Sequence, residues 1–297
     1  MKQFPVFLPH GDEHVAAVIT APEGPPRGLV LLTCGIGAPR SHRFQLWTRL
    51  GERLAAEGLA SARMDYIGIG DSTGERSDWS FVGPPVDQAL AVARFAMSAV
   101  GTDRFVVAGN CLGSRVALAT AGVAQDCVGA VCIRAPLLER GWLSDFQDRA
   151  KKLHLVAAVR SSPLYRRSLR PLVRRIAERT VAPEAREAFV RATRHARLLF
   201  LYSEEDYTFG SAIDRRLEAL AGRLPAGQRD RYELLVLPGG ALRGYESLAV
   251  QDRVLDALMG WIPGCFPSFS IDLEYRLRVG GSRVRDVPAQ SENGGGP

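Results

Sequence analysis

A short apolar run, residues 105–108, leads into Gly109-Asn-Cys111-Leu-Gly113, and small and apolar residues then continue at helical spacing through Leu118. The pattern calls for a strand, a sharp turn and a helix in immediate succession, with a cysteine at the tip of the turn. The two glycines answer a steric need, because a tight turn leaves little room for side chains beside its tip. Any fold that accepts the segment must bury the strand and start a helix at its carboxyl end. The dipole of that helix favours a thiolate at its N-terminus, where Cys111 stands.

The rest of the chain supplies a matching frame. Strand-like runs fall at 16–19, 28–33, 60–64, 104–108, 128–133, 197–202 and 232–237, and helix-like stretches at 44–57, 85–100, 114–122, 213–223 and 247–262. Early strands separated by turns, followed by strands alternating with helices, predict a mostly parallel sheet covered on both faces. In such sheets chemistry gathers where strands end at their carboxyl edge. Residues 140–196 interrupt the alternation with amphipathic helical stretches, for example 169–180 and 183–193, and are expected to form a helical cap over the turn at Cys111. The predicted division is a first core part at 1–139, the cap at 140–196, a second core part at 197–264 and a C-terminal extension at 265–297. An alternating stretch at 269–279 is able to add a strand, and the Gly-rich end reads as disordered.

Composition narrows the class. The 297 residues are 46% hydrophobic and 24% charged, which suits a water-soluble core, and no run approaches the length of a membrane span. The N-terminus lacks the long apolar stretch of a secretion signal, and cysteines 34, 111, 127, 132 and 265 show no metal-type spacing. They are therefore expected to be reduced thiols in a cytoplasmic protein, with no metal and no cofactor implied. Cys127 and Cys132 read as small buried apolar residues. Charge is unevenly placed: residues 140–197 hold fifteen Lys and Arg against five Asp and Glu, an excess larger than the net +6 of the whole chain. A regional excess without aromatic interleaving does not describe a nucleic-acid-binding protein. It suits an acidic ligand or partner, such as an acyl carrier protein or the phosphates of coenzyme A.

Three blocks in order give the chain a family likeness: Leu29-Val-Leu-Leu-Thr-Cys34-Gly35-Ile36-Gly37, then Arg63-Met-Asp65-Tyr-Ile-Gly68-Ile-Gly70-Asp71-Ser72, then the turn at Cys111. Over residues 3–264 the sequence resembles the α/β-hydrolase superfamily. With Ser41-His42-Arg43 it is similar to hydrolases associated with exosortase systems and to hydrolase-like enzymes of acyl and natural-product pathways. The resemblance implies an α/β-hydrolase fold, a mostly parallel sheet with helices on both faces and an inserted cap. It also implies Cys111 as nucleophile, with an oxyanion hole built from the N–H of Leu112 and from residues 34–37, Gly35 or Ile36 foremost. Asp206, after the 197–202 run, matches the acid of the family's triad, and Cys34 and Arg243 fall where a substrate would be touched.

The base of that triad is missing. A histidine belongs after the last strand, but Pro238-Gly239-Gly240-Ala241-Leu242-Arg243 carries Leu242 there, and no histidine follows His195. Arginine is always charged and does not accept a proton. Among the five histidines, His42 is the sharpest substitute, either for proton transfer or for orienting the loop or the substrate. His154 belongs to the expected cap, His195 to the sheet end opposite the chemistry, and His10 and His14 to N-terminal strand or turn structure. The leading expectation is an enzyme acting on an acyl ester or thioester through Cys111: a thioesterase, acyltransferase or cyclase. The alternatives are an elimination or rearrangement enzyme using the oxyanion hole, and an inactive hydrolase fold that binds a partner.

Overall fold

The computed structural model describes residues 1–35, 37–75, 83–137, 181–204, 217–218, 220–238 and 247–267. Eight strands form one sheet: β1 (Lys2–His10), β2 (Glu13–Ala21), β3 (Leu29–Thr33), β4 (Ala60–Met64), β5 (Phe105–Asn110), β6 (Cys127–Ile133), β7 (Arg197–Ser203) and β8 (Tyr232–Leu237). Their order across the sheet is β1-β2-β4-β3-β5-β6-β7-β8. The pairs β1–β2 and β2–β4 are antiparallel, and every pair from β4 to β8 is parallel. The predicted alternation is therefore present, and the carboxyl ends of six strands share one edge.

Helices cover both faces. On one side lie α2 (Val86–Val100), α3 (Leu112–Val123) and α4 (Pro183–Ala192), and on the other α1 (Leu46–Ala56) and α5 (Leu248–Trp261). Strand alternation sorts the side chains: Phe105 and Val107 of β5 join the first cluster, Val106 and Ala108 the second. In α1, Leu46, Leu50 and Leu54 recur every four residues and are fully buried with Trp47. Gly51 lets that helix close on β4, since a Cβ there would lie 2.9 Å from the Ser61 hydroxyl. Burying each such large apolar side chain contributes about 1.5–3 kcal/mol, so these two layers dominate the fold's stability.

Strand β1 was not legible in the sequence as a full strand. Pro5 and Pro9 punctuate it, yet it pairs with β2 over nine residues. It is outermost among the described strands, where prolines leave unpaired only an edge that no described strand adjoins. Of the expected cap, 140–196, residues 140–180 lie outside the described residues. The described remainder includes α4, which packs beside α3 with Phe189 fully buried, and so belongs to a face of the sheet. The extension from 268 onward, with the stretch 269–279, also lies outside the described residues. No described helix is long and apolar enough to cross a membrane.

Candidate active site

Strand β5 lies inside the sheet between β3 and β6, and all six of its residues are buried. The chain leaves it at Cys111 and enters α3 with Leu112, so the cysteine is the N-cap of a twelve-residue helix. Its backbone sits at φ 54 and ψ −119, a region that side chains other than glycine rarely occupy. Holding a residue there costs about 1–3 kcal/mol and persists only where the surroundings enforce it. Here they do. Cys111 N–H donates to the Ile133 carbonyl at 2.9 Å, and the Ser114 hydroxyl donates to Ile133 and Gly109 carbonyls at 2.8 and 3.1 Å. Thr33 Oγ1 donates to the carbonyls of Ala108 and Gly113, each at 3.1 Å. All five cysteines are free thiols, and Cys111 alone is exposed.

The motif glycines are steric necessities. A Cβ on Gly109 would lie 2.1 Å from the Gly113 carbonyl oxygen, and one on Gly113 would lie 2.6 Å from that of Cys34. The backbone after β3 is thus pressed onto the first turn of α3. Gly35 continues this contact: a Cβ there would meet the Asn110 oxygen at 3.3 Å, the Cys111 Cβ at 3.4 Å and the Leu112 nitrogen at 4.0 Å. Gly35, from the first expected source of oxyanion donors, and Leu112, the second, therefore meet beside Cys111. The N–H groups of a helix's first turn have no intrahelical partner, which leaves that of Leu112 disposed to receive developing negative charge.

The second sequence block proves to be a buttress. Asp65, fully buried, accepts from the Arg40 backbone at 2.5 Å and from that of Asp71 at 3.1 Å, and it is ion-paired with the Arg40 guanidinium. Arg40 also reaches Asp71 at 2.5 Å. Gly70, at φ 61, leaves room for this cluster, because a Cβ there would lie 2.3 Å from the Asp65 carboxylate. The cluster fastens the chain that follows residues 34–37.

The structure places the His42 ring against Asn110 and Trp47. Its Nε2 lies 2.8 Å from Nδ2 of Asn110, the residue that precedes Cys111, and its ring rests 5.3 Å from that of Trp47. Burial is the main cause that lowers its pKa to about 4, with the Arg43 charge adding and a backbone hydrogen bond to Arg43 opposing. His42 is therefore neutral at pH 7. Asn110 is a residue that the sequence reading passed over; its signal was its place inside the Gly-x-Cys-x-Gly motif. Arg134, just after β6, was passed over too: it has φ 50 and donates its N–H to the Leu201 carbonyl at 2.8 Å.

Cys34 departs from its expected role of touching substrate. Its side chain is fully buried, Sγ donates to the Pro39 carbonyl at 3.1 Å, and burial raises its pKa far above the ordinary thiol value. Its backbone, not its thiol, borders the turn at Cys111. His195 hydrogen-bonds the Ala124 carbonyl at 2.9 Å, at the opposite end of α3 from Cys111, as expected. His10 pairs with Asp87 at 2.9 Å. Ile36, Asp206, Arg243 and His154 lie outside the described residues. Strands β7 and β8, which precede Asp206 and Arg243 in sequence, end at the same edge as β5.

Residues 24–206 match the profile of the family described as serine aminopeptidase, S33. The chain belongs to that family of α/β hydrolases. Solved structures agree on the fold. A proline iminopeptidase of Mycobacterium smegmatis superposes with a TM-score of 0.55 at 15% identity, covering 88% of this chain and 98% of its own. A thermostable carboxyl esterase of Bacillus coagulans gives 0.59 at 13%, covering 89% and 99%. A dienelactone hydrolase of Anabaena variabilis gives 0.57 at 15%, covering 90% and 99%. No curated protein matches the chain significantly by sequence. The family's description names a serine, whereas this α/β hydrolase presents Cys111 at the tip of its turn.

Proposed function

We propose that this chain is an acyl-transfer enzyme of the α/β-hydrolase fold. Cys111 attacks the carbonyl of an acyl ester or thioester, and the N–H groups of Leu112 and of the loop at 34–37, from Gly35 or Ile36, receive the oxyanion. Asp206 stands as the remaining acid of the triad, and Arg243 contacts an anionic part of the substrate. The acyl group arrives on coenzyme A or an acyl carrier protein, in keeping with the basic stretch at 140–197. The observation that carries the reading is the exposed Cys111 held at φ 54 against Gly35 and Leu112. A structure that merely binds a partner has no need to maintain a costly backbone conformation at an exposed thiol. Structures named esterase, peptidase and hydrolase share the fold, which supports hydrolase-like chemistry.

Intact-protein mass spectrometry after incubation with a panel of acyl-CoA and acyl-carrier thioesters tests the reading, with Cys111→Ala beside the wild type. An acyl mass increment that requires Cys111 is the expected result. Thioester consumption without an adduct would replace covalent transfer by elimination. Neither adduct nor consumption would leave a binding role.

A further inference from the structure

A cavity of about 290 Å³ lies beside the loop that carries His42, and Arg40, Ser41, Gln45, Arg63 and Asp71 stand on its wall. Strand alternation brings Arg63 there. Its neighbours Ala62 and Met64 join the layer shared with α2 and α3, so Arg63 turns to the α1 side of the sheet. Across the strand pair it faces Val18 of β2, which also lines the cavity. Ser41 and Gln45 come from the segment between β3 and α1. Ser41 is followed by His42, whose ring lies against Asn110. One wall of the cavity is therefore the loop that meets the turn at Cys111.

The hydrogen bonds around the cavity leave its polar side chains as donors. The Arg63 guanidinium donates to Thr48 Oγ1 and, at 3.1 Å, to Gln3 Oε1. The Thr48 hydroxyl in turn donates to Gln45 Oε1 at 2.9 Å. That bond engages the amide oxygen, so Gln45 retains the two N–H donors of Nε2. Arg63 has five N–H donors and these bonds use two, one on each terminal nitrogen. Its Nε is buried without a hydrogen-bond partner among the described residues. Nearby acceptors are already engaged. The Ser41 carbonyl accepts from the Trp47 N–H at 3.1 Å, and the Pro39 carbonyl accepts from the His42 N–H at 2.7 Å. Asp71 brings a carboxylate to the wall, and Arg40 holds it at 2.5 Å while also pairing with buried Asp65.

Charge points the same way. Arg40 is matched by two carboxylates, whereas the described partners of Arg63 are a hydroxyl and an amide oxygen. Burial and the charge of Arg40 both disfavour the charged form of Arg63, with Glu52 opposing them. A half-buried cation bonded to neutral oxygens is stabilised by an anion that reaches its remaining N–H groups.

We propose that this cavity binds a phosphate group, as the free ion or as a monoester, through the Arg63 guanidinium, the Gln45 amide N–H groups and the Ser41 hydroxyl. Phosphate suits the wall better than a carboxylate does. Its outer oxygens accept from several directions at once, and the donors here come from two separate segments, β4 and the loop at 41–45. An arginine with an open N–H on each terminal nitrogen also matches two phosphate oxygens together. The site stands apart from the covalent reading of Cys111, and neither depends on the other.

Isothermal titration of the full chain with inorganic phosphate and with phenyl phosphate tests the site, at an ionic strength fixed by sodium chloride. Acetate serves as the carboxylate comparison, and the wild type is set beside Arg63→Gln and Gln45→Glu. The second substitution keeps the oxygen that Thr48 bonds and exchanges the N–H donors for a carboxylate oxygen at nearly constant shape. Thermal midpoints in sodium chloride report whether each variant is folded, and Gln45→Glu decides alone if Arg63→Gln is not. We expect saturable binding of one phosphate per chain. It should be at least about tenfold weaker in Arg63→Gln, the usual scale for a hydrogen bond to a charged group, and lost in Gln45→Glu. Tighter binding of inorganic phosphate would assign the site to the free ion, and tighter binding of phenyl phosphate to a phosphorylated ligand. Equal affinity in the wild type and the folded variants overturns the proposal. So does acetate binding as tightly as phosphate, or no saturable binding of either phosphate to the wild type.

Discussion

Replacing Gly113 with alanine would set a methyl carbon 2.6 Å from the Cys34 carbonyl oxygen and 2.7 Å from that of Thr33. Both are backbone atoms of the segment that leads into residues 34–37, so neither can swing aside as a side chain would. Relief to an ordinary 3.4 Å contact requires the two backbones to part by about 0.8 Å, the difference between 3.4 and 2.6 Å. Overpacking of this kind costs typically about 1–3 kcal/mol. The rate should suffer more than the fold. The parting separates Gly35 from Leu112 across the position of the oxyanion, and a misplacement near 1 Å can cost about 10²-fold. Urea unfolding followed by tryptophan fluorescence, beside the rate at which a thioester acylates Cys111, reads both quantities. Gly35→Ala is the companion variant, since its nearest contact of 3.3 Å requires only a few tenths of an ångström of movement. It should acylate faster than Gly113→Ala and keep near-native stability. An unchanged acylation rate in folded Gly113→Ala would refute the placement of the oxyanion donors.

Other substitutions probe the remaining parts of the site. Cys111→Ser should fold normally and acylate about 10²–10⁴ times more slowly, because a hydroxyl needs a general base to become nucleophilic whereas a thiol is already partly ionised; near-native acylation would reveal such a base beside position 111. His42 bears on stability against pH. Its pKa is about 4 in the fold and about 6.5 when unfolded, so between these values the unfolded state binds more protons and stability falls as pH falls. The contribution is at most about 3 kcal/mol, complete above pH 6.5 and lost progressively towards pH 4. Urea unfolding of His42→Gln across that window should show a flatter dependence than the wild type, while the acylation profile above pH 6.5 keeps its shape. Asp65→Asn removes one partner of a buried ion pair with Arg40 and should cost about 3–5 kcal/mol. A thermal midpoint unchanged from the wild type would show that the buttress carries no stability.

The parts of the fold that could be read from the sequence are those whose causes are local. Runs such as residues 29–32 and 105–108 are apolar throughout because parallel strands are buried on both faces. In α1 the leucines recur every four residues because that spacing keeps them on one side of a helix. Gly109 and Gly113 mark the turn at Cys111 because no other residue fits between the backbones that meet there. Strand β1 escaped because Pro5 and Pro9 are breakers in local terms. They are tolerated only once the strand is known to be outermost.

The sequence by itself determined the α/β-hydrolase frame, the cysteine at the tip of the turn and the lack of a histidine after the last strand, since each depends on periodicity, glycine sterics or simple presence. Tertiary structure alone decided what the remaining polar residues do. His42 and Asn110 are 68 positions apart, and Arg40 and Asp65 are 25 apart. No local pattern announces that the first pair ties a loop to the turn or that the second anchors that loop from behind. Such partners are chosen by where β3, β4 and β5 lie beside one another in the sheet. Burial then fixes their chemistry: away from water, a histidine stays neutral and a thiol stays protonated, as His42 and Cys34 do.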